Sequence, residues 1–329
     1  MAYTTIDNPE LYFQVKLWTG TGSEIAATLD GSENMQPDLV AIKARTDAES
    51  HKVYDSVRGV TKHIEFDTYD AEATEAQGLK SFDSDGFTIG TYSSINASSS
   101  HTYVAWCWKE SADAGFDIVS YAGTGSAHTE AHSLSAVPKM IIATNRERSS
   151  NWLVYHAGMD VTGNNTLFLD STSAQDASQN YWNDTAPTSS VFSVGDRLEN
   201  NYSSENIIAY AFAPKQGFSS MGSYLGNGDV NGAFVYTGFR PAFVIQKRTD
   251  TTGNWVMTDT GRSPDNESHE TLYPNLNNAE EGMGKDLLSN GFKCRTSDAT
   301  INASGGTYIY MAFAEAPFVN SNGVPCNAR

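Results

Sequence analysis

Charge is scarce in this sequence: Asp, Glu, Lys and Arg make up 18% of its 329 residues, against about a quarter in ordinary globular domains. Basic side chains are the scarcer kind, 21 against 39 acidic, for a formal net charge of −18. So acidic a surface repels phosphate backbones, and the basic residues gather only as the pairs Lys43/Arg45, Arg146/Arg148 and Lys247/Arg248. Nucleic-acid binding is therefore not expected. Long apolar runs are missing as well. Stretches such as Tyr103 to Trp108 stop after six or seven residues, where a spanning helix needs about 20. The first ten residues have neither the basic start nor the apolar core of a signal peptide, so Sec export is not expected. The three cysteines, Cys107, Cys294 and Cys326, have no metal-ligand spacing and cannot all pair within one chain. Cys107, between Trp106 and Trp108, reads as a buried inert thiol.

What the chain does contain is Ser, Thr, Asn and 27 glycines, with 11% aromatic residues, arranged in a repeat. An aromatic-x-Gly-x-Gly motif occurs at Trp18-Thr-Gly20-Thr-Gly22, Tyr121-Ala-Gly123-Thr-Gly125 and Tyr224-Leu-Gly226-Asn-Gly228, at equal intervals of 103 residues (18 to 121, 121 to 224). Pro37, Pro138 and Pro241 each precede a strand-like run, Asp38 to Lys43, Lys139 to Thr144 and Ala242 to Lys247. Eighteen residues after each proline stand Asp55, His156 and Asp259. Ile64-Glu-Phe66, Leu167-Phe-Leu169 and Leu272-Tyr-Pro274 follow, then Gly86-Phe87, Val191-Phe192 and Gly291-Phe292. Aromatic strands close each unit: Tyr103 to Trp108, Ile207 to Phe212 and Tyr308 to Phe313.

Length alone suggests two domains; the repeat raises the number to three. The expected fold class is all-β, with three tandem antiparallel β-sandwich-like repeats of about 100 residues each. They span residues 13–112, 113–215 and 216–318, between an N-terminal segment (1–12) and a C-terminal tail (319–329). Six or seven strands are expected per unit, with short helices in loops at Asp70 to Gln77, Ser173 to Gln179 and Asn278 to Leu288, which are rich in Ala, Glu and Gln. The short joints, Lys109 to Gly115 and Pro214 to Gly222, predict units packed against one another. Propeller blades, at about 40 to 50 residues, fit less well.

No local motif carries a catalytic mechanism. The Gly-x-Gly loops lack the spacing of a dinucleotide or phosphate loop, and no Gly-x-Ser-x-Gly elbow occurs. His128 and His132 lie four apart but not in His-Glu-x-x-His order, with no third ligand nearby, so they read as surface or turn residues. Asp83-Ser-Asp85-Gly86 resembles the start of a calcium loop yet lacks the downstream Glu, and a hairpin turn is the better reading. Asp55 and Arg58 recur as Asp259 and Arg262, while unit 2 has His156 and Asp160. A pair copied with the fold reads as structural. No catalytic, cofactor-binding or metal residue is expected. For ligand contact, Trp182 and Tyr181, in the polar loop Asn180 to Asn183, and Tyr202 are the candidates, since their rings could stack on sugars.

The strings Met35 to Arg45, Val53 to Gly59, Ser84 to Gly90 and Tyr103 to Lys109, with Gly222 to Gly228, Val235 to Val244 and Tyr308 to Glu315, resemble an uncharacterised repeat-domain family of marine bacteriophage genomes. The resemblance covers nearly the whole chain. This sequence departs from the family pattern in its short joint at Lys109 to Gly115, where relatives carry a longer loop. Members look like virion structural proteins of the tail-fibre or appendage kind, without catalytic residues. The resemblance thus implies a non-enzymatic protein on the exterior of a phage particle, with other virion proteins and a host surface glycan or receptor as partners, and it allows a homotrimer. A capsid decoration or head-fibre protein, and a glycan depolymerase with two flanking carboxylates, are the alternative expectations. No heptad shaft is present.

Overall fold

The computed structural model describes residues 3–98 and 100–326. Three antiparallel sheets built alike form its centre. In unit 1 they comprise β1 (Phe13–Thr19), β2 (Leu39–Ala44), β3 (Lys52–Asp55) and β4 (Thr102–Trp108). Unit 2 supplies β5 (Phe116–Ala122), β6 (Met140–Asn145), β7 (Leu153–His156) and β8 (Asn206–Phe212). Unit 3 supplies β9 (Ser219–Leu225), β10 (Phe239–Arg248), β11 (Trp255–Asp259) and β12 (Thr307–Pro317). The sheet orders are β1-β4-β2-β3, β5-β8-β6-β7 and β9-β12-β10-β11, the second carrying Leu167–Phe168 at its edge. In each, the last strand of the unit lies between the first two.

The two central strands of each inner sheet are buried on both faces, which is why they read as near-continuous apolar runs. In β4, Val104, Trp106 and Trp108 face a core shared by all three units, while Ala105 and Cys107 face the private interior of unit 1. Residues of β8 and β12 divide the same way: Ile208, Tyr210 and Phe212 point to the shared core, as do Ile309, Met311 and Phe313. A second sheet closes each private interior. It has three strands in unit 1 (Ile25–Thr28, Leu79–Asp83, Gly86–Ile89), two in unit 2 (His128–Ala131, Val191–Val194) and four in unit 3 (Phe234–Tyr236, Ser268–Thr271, Glu281–Leu288, Gly291–Cys294). The shared core is closely packed, with a small apolar cavity of about 30 Å³ among Leu39, Phe66, Ile142, Leu169, Ile245 and Met257.

The glycine motif has a geometric cause. A Cβ on Gly20, Gly123 or Gly226 would overlap the carbonyl of Ala97, Tyr202 or Ala303, whereas Gly22, Gly125 and Gly228 adopt φ of +68°, +74° and +70°. The first glycine permits close approach and the second permits the left-handed turn. The loop docks on a buried asparagine, Asn96, Asn201 or Asn302, whose Oδ1 accepts from the N–H of Thr21, Thr124 or Asn227 at 2.9, 2.7 and 2.9 Å. The motif's aromatic residue donates to the carbonyl one residue earlier: Trp18 to Ile95, Tyr121 to Asn200, Tyr224 to Ile301.

Those asparagines end the α-helical turns, at Ser93–Asn96, Leu198–Asn201 and Ala299–Asn302, and not where composition placed helices. The three Ala/Glu/Gln-rich segments run extended along the unit boundaries, Asn278 to Leu288 containing the strand Glu281–Leu288. Their backbones bond to a neighbouring unit: Glu72 N–H to Arg146 O, Gln175 N–H to Thr249 O, and Glu280 N–H to Arg45 O. Tertiary pairing overrides a weak local helix preference. Counting two-residue pieces, the strands number nine, seven and eight among the described residues, where six or seven were expected.

Candidate functional site

Trp182 and Tyr181, expected at the surface, are buried at 2% and 5% exposure. Unit 2 lacks the outer strand that units 1 and 3 supply at Leu79–Asp83 and Glu281–Leu288, and these rings take part in its interior. Trp182 packs edge-on to Tyr155, and Tyr181 edge-on to Phe168. Tyr202 is half-buried, with the Arg148 guanidinium over its ring at 3.5 Å and Arg148 in turn paired with Glu205 at 2.6 Å. Beside Arg148 opens a recess of about 160 Å³ lined by Ser149, Ser150, Asn151, Leu198 and Glu199. Of the three candidate residues, only Tyr202 therefore borders an accessible polar surface.

Groups that resemble catalytic machinery sit between the units, in a cyclic arrangement. Tyr210 of unit 2 donates its hydroxyl to Asp55 of unit 1 at 2.7 Å, and Trp106 of unit 1 donates Nε1–H to Asp259 of unit 3 at 3.0 Å. His156 of unit 2 donates Nε2–H to the Tyr310 carbonyl of unit 3 at 3.1 Å. A second cycle links Trp152 to Glu65 O (2.7 Å), Trp255 to Phe168 O (2.8 Å) and His51 to Tyr273 O (3.0 Å), the ring N–H donating each time. All three donors stand fourteen residues after their proline.

The charges in these cycles come as sets. Asp55 pairs with Arg58, which reaches Glu72, and Glu72 binds Arg146 of unit 2 at 3.0 Å. Likewise Asp259 pairs with Arg262 at 2.6 Å, Arg262 with Glu280 at 2.8 Å, and Glu280 with Arg45 of unit 1 at 2.9 Å. Between units 2 and 3 every matching member is uncharged as written: His156, Met159, Gln175, Thr249, and Met311 at the Trp106/Tyr210 position. Met311 offers no donor, so an aspartate in place of His156 would be an unpaired buried charge. Met159, not Asp160, stands where Arg58 and Arg262 do. Asp160 instead holds its own loop, accepting from Thr162 and Asn164.

Burial pushes the His51 and His156 rings down to about 3 and about 4, and both stay neutral. His156 is fixed in one tautomer, because Nδ1 accepts from Gly158 N–H at 2.9 Å while Nε2–H donates. Burial also lifts the Tyr210 hydroxyl well above its ordinary value. Every one of these groups is committed to joining units.

No group of three His, Cys, Asp or Glu side chains among the described residues is placed to hold a metal ion. Asp83 accepts from Ser81 and Thr88 within the hairpin, and Asp85 accepts from Met35 N–H, tying the turn to the loop before β2. His128 meets Glu130 at 2.7 Å, while His132 reaches the Thr188 carbonyl; they do not converge. A second recess, of about 270 Å³, lies between β1 and unit 3, with Glu10, Asp30 and Glu315 on its wall. Asp30 is paired with Lys16 at 2.8 Å, and Glu10 accepts from Ser32. Among the described residues no helix is long and apolar enough to cross a membrane.

The outer-edge pairs Arg45/Glu280 and Arg146/Glu72 were not singled out from the sequence. The signal was present, since both arginines stand eight residues after their proline. No curated protein matches the chain. Residues 8–317, a span that takes in all three inner sheets, match the model of a domain of unknown function (DUF7483), and the chain belongs to that family.

Proposed function

We propose that this chain is a non-enzymatic structural protein of a bacteriophage virion, exposed on the particle as a tail-fibre, receptor-binding or appendage component. The observation that carries this reading is the fate of the polar groups. Asp55, Arg58, Asp259, Arg262, His51 and His156 are buried and spent on fixing three sandwiches around one core. What results is a rigid body whose free surface is acidic and rich in uncharged polar residues, suited to contact rather than turnover. The sequence resemblance to phage appendage proteins supports the location. The polar recess beside Arg148 and Tyr202 is the surface we assign to a host glycan or receptor, with other virion proteins as the remaining partners. Three sandwiches in one chain form the kind of threefold body that a homotrimer would otherwise assemble.

The test is quantitative mass spectrometry of purified particles, combined with antibody labelling in electron microscopy. Labelling at the tail, at a few copies per particle, is the expected result. Copies in proportion to capsid subunits would assign the protein to head decoration instead. Absence from the particle would overturn the reading.

A further inference from the structure

The private interior of unit 3 differs in chemistry from the other two. Five residues after the prolines stand Ile42, Ala143 and Gln246; two residues after Phe87, Phe192 and Phe292 stand Ile89, Val194 and Cys294. The cross-strand partner of Ile89 is Leu79, and that of Cys294 is Lys285. An apolar set in unit 1 is thus a glutamine, a thiol and an amine in unit 3, all at 0% exposure.

Lys285 Nζ donates to Thr258 Oγ1 at 3.1 Å, and no carboxylate among the described residues neutralises it. Gln246 Nε2 donates to the Tyr224 hydroxyl at 2.7 Å, while its Oε1 has no partner among the described residues. The Tyr224 hydroxyl and the Cys294 thiol both donate to the Ile301 carbonyl, at 2.7 and 3.7 Å, which brings the sulfur beside the Gln246 amide. An uncompensated ammonium and an orphaned amide oxygen are poor tenants of an apolar interior. Their condensation product is a neutral amide.

We propose that Gln246 and Lys285 become joined by an intramolecular ε-(γ-glutamyl)lysine bond, with Cys294 as the nucleophile that activates the amide. The Lys285 amine takes the thiol proton as the sulfur attacks Gln246 Cδ. The Cδ–Nε2 bond breaks, and the nitrogen leaves as ammonia with the proton returned from Lys285. A Cys294–Gln246 thioester results. The free amine then attacks its carbonyl carbon, the C–S bond breaks, and the Nζ proton passes to sulfur, regenerating the thiol. The sum is amide plus amine giving amide plus ammonia, with no change of oxidation state. Burial pushes Lys285 down to about 8 and so leaves the amine within reach of the neutral form that can accept a proton; because burial also raises the Cys294 thiol, the proton moves as the sulfur attacks and not in advance of it. The bond ties β10 of the inner sheet to Glu281–Leu288 of the outer one.

The test is the intact mass of the purified full-length chain. We expect a mass lower than the sequence mass by one ammonia, a branched peptide joining Gln246 to Lys285, and a Cys294 thiol that alkylates on unfolding. C294S and K285M, the second an apolar side chain of similar length, are both expected to show the full sequence mass with circular dichroism unchanged. A wild-type chain at full sequence mass overturns the proposal, as does a deficit mapped to other residues. A deficit reversed by hydroxylamine, with Cys294 blocked, shows a terminal thioester and overturns the amide. A cross-link that persists in C294S overturns the thiol route.

Discussion

The Trp106 indole of unit 1 and the Asp259 carboxylate of unit 3 meet at 3.0 Å where neither side chain is exposed to solvent. Asp259 also holds Arg262, so this one carboxylate neutralises a buried guanidinium and satisfies a buried indole across a unit boundary. Its removal leaves the indole without its acceptor and the guanidinium with Glu280 as its one remaining carboxylate among the described residues. Asp259→Ala is expected to cost about 3–5 kcal/mol, the usual range when one partner of a buried pair is deleted. Adding Arg262→Met, which copies the Met159 of unit 2, is expected to recover part of that loss because the buried guanidinium that lost its inner partner is gone, while Glu280 keeps Arg45. Urea denaturation of wild type and the two variants reads both effects. A double mutant less stable than D259A would show that the guanidinium was not the source of the cost.

Acid stability follows from the histidines. His51, His156 and His63 have folded-state values near 3, 4 and 4, all lowered first by burial, against about 6.5 in an unfolded chain. A depressed value means that the unfolded chain binds the protons, so the contribution is complete above pH 6.5 and is lost as pH falls toward 4. The melting temperature is expected to drop steadily over that window. His156→Gln, which can still donate to the Tyr310 carbonyl, is expected to flatten the slope. An unchanged slope would mean that the ring is charged in the folded state.

Glu110 acts with the opposite sign. Burial, and then the hydrogen it shares with Asp117, raise it to about 7. A raised carboxyl stabilises the fold below its unfolded value near 4.5, and that contribution is lost as pH climbs to 7. Glu110→Gln mimics the protonated form at every pH. It is therefore expected to melt with wild type at pH 4.5 and above wild type at pH 8, as differential scanning calorimetry would show.

How much of this was legible in the sequence depended on whether a residue's neighbours were local. Gly20 and Gly22 announced themselves because their loop is short and thrice repeated, and the prolines marked strands whose both-face burial writes an apolar run. Asp55 and Asp259 were correctly read as structural pairs with Arg58 and Arg262. The partners that explain them, Tyr210 and Trp106, lie 155 and 153 residues away. No local pattern links them. Composition misled at Asn278 to Leu288, where pairing with Ser268–Thr271 and Gly291–Cys294 holds the chain extended. It misled again at Trp182, because the missing third strand of unit 2 leaves no trace in the residues that fill its place.

Trp182 gives that correction an experimental form. As a ring exposed at 2% and packed on Tyr155, Trp182→Ala is expected to cost about 3–5 kcal/mol of stability. Its effect on any ligand would then follow from unfolding alone. Tyr202→Ala removes only the face under Arg148 and is expected to change stability by about 1 kcal/mol or less, in the range of an exposed cation–π contact. Host-cell binding that falls in Y202A, measured on folded protein, would assign the recess beside Arg148 to recognition. Binding that is untouched would remove it from consideration.

The shared core makes the units inseparable in a way that tandem domains are not. In unit 2 the side chains of Ile118, Met140, Ile142, Trp152, Tyr210 and Phe212 all face the core common to the three units. Residues 113–215 expressed alone would turn that face to water while keeping only the private interior around Ile141, Tyr155 and Phe192. Exposed apolar surface of that extent is incompatible with a stable monomer. The fragment is expected to bind a hydrophobic dye and to melt without a cooperative transition, whereas the full chain should unfold in one step seen alike by fluorescence and circular dichroism. A cooperative melt of the isolated unit would mean that the private interior suffices and that the cyclic contacts only dock preformed domains. The two-sided burial of β6 and β8 argues for the first outcome, because each of those strands owes half of its apolar residues to neighbours the fragment no longer has.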